Sequence, residues 1–383
     1  MVRALVALHA TDPASVYLSV LARSAATTIA EVSEAMYGRR ALVRWMAMRR
    51  TLFVFAREDV PMVQAAVSTP LAASLRRRLL SRLHHNGLDP AVTDDLPGWL
   101  AAAESRIEQL MLRRGSATGA ELRADEPALR STIPARTRSE TPRGLTSPLL
   151  TLMGTEGRLV RGAPVGSWTT RAHRWEPVSA WWPDGIPELD PVAAQASLAR
   201  RWLQRFGPAT VDDLQWWTGW GKTTTRGALS RLDIEDVDLH GRPGIDLCDS
   251  ELRDGDRLAA DLPEPGAPVA CLLPALDPTP MGWRHRGWFT AVDPALIYDR
   301  AGNIGPTIWW NGELIGAWAS TADGIRTEIV ADRGQQAASA VEQAGARLHD
   351  RLDGAVVVPA ARTPLERHLS EPRVAGAGPA ADL

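Results

Sequence analysis

His9 and Thr11 stand one residue apart in LHATDPASVYLSVLAR, residues 8–23, a run that is otherwise mostly apolar. A neutral imidazole, with an unperturbed pKa of about 6.5, can take a proton near neutral pH. A hydroxyl beside it can both donate and accept a hydrogen bond. Together the two can hold a water and deprotonate it. If the backbone is extended here, His9 and Thr11 face one way and Ala10 the other. Asp12-Pro13 reads as a helix start, with Val16, Tyr17, Val20 and Leu21 following at helical spacing. The spacing predicts that the pair shares a cleft at the mouth of a helix, close to arginines of the same unit. The competing reading of His9 is a satisfied structural histidine packed beside that helix.

Two further groups of residues suit anion binding. Arg39, Arg40, Arg44, Arg49 and Arg50 cluster around an expected recognition helix, where guanidinium groups position a protein on phosphates. A solvated face, or pairing with Asp12 or Glu34, is the alternative. GWGKTTTR (219–226) places Lys222, an expected capping Thr223 and Arg226 at a helix N-terminus, a seat for phosphate. It lacks the spacing of a nucleotide-binding loop. Trp309-Trp310 reads as a core anchor rather than a base-stacking platform, and Asp277 and Asn311 read as turn residues.

The elements that must position these residues show an internal repeat. LMLRRGSATGAEL (110–122) and RWLQRFGPATVDDL (201–214) share basic-x-G-x-A-T-x-x-x-L. Each begins as the end of an amphipathic helix that stops at Gly115 or Gly207. Thr118 and Thr210 then cap the next helix, with Glu121 and Asp213 three residues on. Helix, turn, helix is the front half of a helix-turn-helix unit. After the first copy, LLTLMGTEGRLVRG (149–162) reads as a hairpin turning at Gly154–Gly157; after the second, TTTRGALSRL (223–232) reads as a third helix. A more diverged unit is expected over 28–58: a helix, a break at Gly38, a second helix, and a strand alternating at Leu52, Val54 and Ala56. Farther on, Asn311-Gly312 between apolar runs signals a hairpin.

The expected class is therefore α+β: tandem winged-helix units followed by a small β-barrel-like module. The units fall at 1–95, 96–180 and 190–245, the β-rich module at 246–335, a C-terminal helix at 336–370 and a disordered tail at 371–383. The 383 residues are 45% hydrophobic and 23% charged, those of an ordinary soluble chain. No apolar stretch reaches the roughly 18 residues of a membrane span. The two cysteines, Cys248 and Cys271, have no CxxC neighbour, which argues against a disulfide framework or a zinc site and for a reducing cytoplasm. Residues 1–180 carry 24 arginines against 16 acidic residues, whereas the remainder is net acidic. That asymmetry points to a polyanion on one face.

LHATDP, LPALDPTPMGW and GNIGPTIWWNGELIGAW, with the tandem repeat, resemble the bacterial winged-helix DNA glycosylases typified by AlkZ and YcaQ, over roughly residues 1 to 360. The resemblance implies three winged helices and a β-barrel around a DNA channel. It implies excision of alkylated purines, N7-alkylguanine and crosslinked bases among them, from double-stranded DNA. It also implies a monomer acting near the nucleoid, with neither metal nor cofactor. The family's catalytic Gln-x-Gln or Gln-x-Asp falls on His9 and Thr11, so this chain carries His-x-Thr. Few residues precede the motif, and the first helix of the first unit is expected to be short or absent, through a late start codon or an incomplete unit. A DNA-binding module without catalysis, such as a transcriptional regulator, is the alternative function.

Overall fold

The computed structural model describes residues 1–91, 95–137, 140–248 and 268–372. It mixes helices and sheets, and it divides into two compact units: Met1–Tyr17 with Ile29–Leu262 and Gly282–Arg284, and Leu18–Thr28 with Pro263–Met281 and His285–Leu383.

From the N-terminus, β1 (Leu8–His9) leads into α1 (Pro13–Leu21), whose residues from Leu18 on belong to the second unit, and then, in the first unit, α2 (Ile29–Ser33) and a π-helical turn, Glu34–Gly38. The expected second helix is instead a strand, β2 (Leu42–Met46), followed by β3 (Leu52–Ala56). Arg40 has a φ of 54°, which ends the helical run, and Val43 and Trp45 favour the pleat. All five residues of β3 are buried, so its alternation separates two packed faces rather than core from water. Next come α3 (Val60–Val63), α4 (Thr69–Asn86), α5 (Leu96–Arg114), β4 (Ala117–Thr118) and α6 (Gly119–Asp125). A two-residue pairing of β5 (Thr132–Ile133) with β6 (Arg143–Gly144) precedes α7 (Thr146–Thr155), β7 (Leu159–Pro164) and β8 (His173–Pro177). The expected hairpin at 149–162 is thus a helix and a strand. Leu149, Leu150, Leu152 and Met153 are buried at helical spacing, and Gly157, at φ 76°, makes the turn.

Apart from β5 and β6, these strands form one six-stranded sheet in the order β1-β3-β2-β7-β8-β4. The order is symmetric: a short strand, a last strand and a middle strand on each side, with β2 and β7 meeting at Arg44↔Arg161. One apolar core covers the face carrying Trp45, Phe53 and Phe55 and reaches Trp202, Phe206 and Trp217; a second gathers Leu83, Leu100, Ile107, Met111, Leu149 and Met153. The third run comprises α8 (Pro191–Phe206), α9 (Val211–Thr218), α10 (Lys222–Leu229) and the hairpin β9 (Ile234–Asp238) with β10 (Pro243–Leu247). Both repeat threonines cap as expected. Thr118 accepts from Glu121 N–H at 3.1 Å and Thr210 from Asp213 N–H at 3.1 Å, and each acidic side chain bonds back. Thr223 does not cap: the N-cap of α10 is Gly221, and Thr223 lies inside the first turn.

The second unit holds β11 (Ala270–Leu273), α11 (Pro294–Ile297), β12 (Thr307–Trp310), β13 (Glu313–Thr321) and β14 (Gly324–Ile329). Its sheet has the open order β11-β12-β13-β14 and closes into no barrel among the described residues, which corrects the expected barrel-like module. Asn311 and Gly312, at φ 45° and 87°, form the tight turn that their sequence signals. Trp309 is buried, and its indole N–H donates to Thr307 Oγ1 at 2.9 Å. Two helices, α12 (Gln335–Leu352) and α13 (Pro364–Ser370), replace the single expected one; of the expected tail, residues 373–383 lie outside the described residues.

Candidate functional site

The backbone delivers His9 on a strand at the edge of the sheet. β1 pairs antiparallel with β3, Leu8 against Val54 and His9 against Phe53, and Ala10 N–H continues the ladder to the Leu52 carbonyl at 2.9 Å. The imidazole lies over Phe53, ring centroids 4.3 Å apart, and is only 4% exposed. Thr11 follows in the bend before α1 and is exposed. The two side chains therefore occupy different surroundings, one packed on an aromatic ring and the other at the surface.

Register separates His9 from Arg44. Arg44 pairs with Val54 and Trp45 with Phe53, so His9, Phe53 and Trp45 share one face of the sheet and Arg44 takes the other. Arg44 sits on a strand, not on a recognition helix, and is 4% exposed, which withdraws it from surface phosphates. The other arginines of that cluster are dispersed. Arg39 and Arg50 are exposed. Arg40 pairs with Glu176 at 3.1 Å and donates to the Ala180 carbonyl. Arg49 lies over the Trp216 ring, 3.9 Å from its centroid. Lys222, Thr223 and Arg226 are together on α10, all exposed.

On the far face of the sheet Arg44 joins residues that sequence alone does not connect. Arg161 is its cross-strand neighbour, and the Arg161 guanidinium lies over Trp175 at 5.0 Å. Burial, reinforced by Arg44, lowers Arg161 to about 10. Burial, then Arg161 and Arg44, lowers His173 to about 4, so its imidazole is neutral at pH 7. Burial pushes the Tyr37 phenol up to about 12 although Arg44 bonds to it. These groups meet only once strand register is known. Arg50, by contrast, lines a groove with Arg78, Arg82 and Arg143, whose signal was legible: RRRLLSR, residues 76–82, lies in an 18-residue helix without one acid.

In the second unit Asp277 is fully buried and fully engaged. Both its oxygens accept from Arg23, at 2.6 and 2.7 Å, Ser19 donates at 2.9 Å, and Thr279 N–H donates at 2.9 Å. This is a structural clamp across 254 residues of sequence, which leaves the carboxylate no free lone pair for chemistry.

The model of the AlkZ-like DNA glycosylase family matches residues 2–351. Among solved structures, the Streptomyces sahachiroi DNA glycosylase AlkZ is similar at 20% identity with a TM-score of 0.66, covering 94% of this chain and 91% of that one. No curated protein matches the chain significantly.

Proposed function

The chain belongs to the AlkZ-like DNA glycosylase family, and on that premise we propose that it hydrolyses the N-glycosidic bond of alkylated purines in double-stranded DNA. The family match over residues 2–351 carries this reading. An N7-alkylguanine is cationic, so its departure needs no protonation of the base. The C1′–N9 bond breaks with its electrons leaving on the purine, which becomes neutral. Water adds to the oxocarbenium-like C1′, and His9 accepts the proton that water releases. Thr11 orients that water. These roles rest on the match of His9 and Thr11 to the family's motif positions; the buried imidazole and the exposed hydroxyl stand in different surroundings, so they would have to converge on one water when DNA binds.

The sheet order supports reading residues 96–180 and 190–245 as winged helices. In the first, β8 lies between β4 and β7; in the second, β10 lies between β9 and the bridge at Ala209. Both give the first-last-middle strand order of that unit after helices in the same sequence. No helix among the described residues is long and apolar enough to cross a membrane; we place the protein, as a monomer, in the cytoplasm at the nucleoid. The test is incubation with duplex DNA carrying N7-methylguanine, scored for abasic sites after heat. Abasic sites without prior strand incision are the expected product. Undamaged, sequence-selective operator binding with no abasic sites would favour a regulator instead.

A further inference from the structure

Several arginines of this chain are held by carboxylates. Arg23 has Asp277, Arg106 has Glu126, Arg158 has Glu104 and Glu108, and Arg333 has Glu313. The face of α4 instead gathers arginines that are not held in this way. Its Arg76 is held by Glu104 and Glu156, at 2.9 and 2.6 Å, but Arg77, Arg78 and Arg82 are exposed, and no described carboxylate pairs with them. Arg50, from the turn between β2 and β3, and Arg143, on β6, are likewise exposed, with no carboxylate among the described residues paired to either. Arg50, Arg78, Arg82 and Arg143 line one groove of about 560 Å³, with Ser147 from the first turn of α7 and no acidic residue among the described residues of its wall. Arg77 and His85 extend the basic surface beyond Arg78 and Arg82.

Like charges held this close repel one another, and elements from three parts of the chain converge to hold them. An extended anion relieves that repulsion. A guanidinium fork matches phosphate oxygens two at a time, and a row of them suits a polymer better than a single ion. We propose that the groove between α4 and α7 seats the phosphodiester backbone of duplex DNA, contacting it without reading its bases. This rests on the glycosylase reading above, and it places the backbone contact on residues separate from His9 and Thr11.

The test is binding of the full-length protein to an undamaged duplex from 50 to 200 mM salt. Each lost phosphate contact reduces the slope of log K against log salt by about 0.9. The double variants Arg78→Gln/Arg82→Gln and Arg50→Gln/Arg143→Gln should each flatten the slope by nearly 2 and weaken binding about tenfold at the low-salt end. Arg78→Lys/Arg82→Lys should keep most of the slope, because it keeps the charge. Arg113→Gln, an exposed arginine outside the groove, should leave it unchanged. Slopes equal to wild type in both glutamine doubles would overturn the proposal, as would an equal loss in the lysine double. Flattened slopes in a protein that releases no N7-methylguanine would uphold the groove and overturn the enzymatic reading instead.

Discussion

At the scale of single residues, the proposed chemistry rests on an imidazole packed against a ring. Phe53 supports one face of His9, and the strand holds its backbone, so the ring's orientation is set before any substrate arrives. Preorganisation of this kind favours a positioned base. His9→Ala should reduce single-turnover excision by roughly 10²- to 10⁴-fold. Thr11→Val, which removes one hydrogen bond worth about 1 kcal/mol, should cost no more than about tenfold. Neither change touches a charged side chain, so affinity for undamaged duplex should stay at the wild-type value. An excision rate retained in His9→Ala would remove the pair from the mechanism.

At the scale of elements, the two threonine caps and the one that failed make a controlled comparison. Thr210 satisfies a helix donor and is answered by Asp213; Thr210→Ala should lower unfolding stability by about 1 kcal/mol. Thr223 sits exposed inside a helix whose cap is glycine, so Thr223→Ala should change stability by less than about 0.5 kcal/mol. Chemical denaturation measures both. The same contrast explains what was legible. The Thr118 and Thr210 caps, the glycine stops and the Asn311-Gly312 turn are local, and they stood in the sequence as they stand in the fold. The segment at 41–50 misled because it reads as a helix with Arg39, Arg40, Arg44, Arg49 and Arg50 around it, whereas Val43 and Trp45 answer to a core contributed by distant helices. The separation of His9 from Arg44 was not readable either, because it follows from pairing with β3, a partner that no local pattern names. The groove was half readable: the acid-free run on α4 was visible, but its meeting with Arg50 and Arg143 was not.

At the scale of the first unit, the two halves of the sheet meet at a cluster of cations. Arg44 is buried there, with its Nε and one terminal nitrogen lacking a described partner. His173 enters the cluster neutral, and this ties stability to pH. Its folded pKa of about 4 lies below the unfolded value of about 6.5. Above pH 6.5 the imidazole is neutral in both states and the fold loses nothing. Between about 6.5 and 4 the unfolded chain binds a proton that the folded chain refuses, so stability falls as pH falls, by up to about 3 kcal/mol. His173→Gln should flatten thermal stability across that window; an unchanged pH profile would show that burial and the two arginines do not hold the imidazole pKa down.

The same sheet begins and ends with strands of two residues, Leu8–His9 and Ala117–Thr118. An exposed strand edge is a template on which a second molecule can add its own chain, and length is what makes the template sticky. Here each rim offers too few backbone groups to recruit a stranger, while the longer, fully apolar β3 is held inside. The brevity that puts His9 at the end of the ladder also guards a sheet rich in buried aromatic residues against edge-to-edge aggregation.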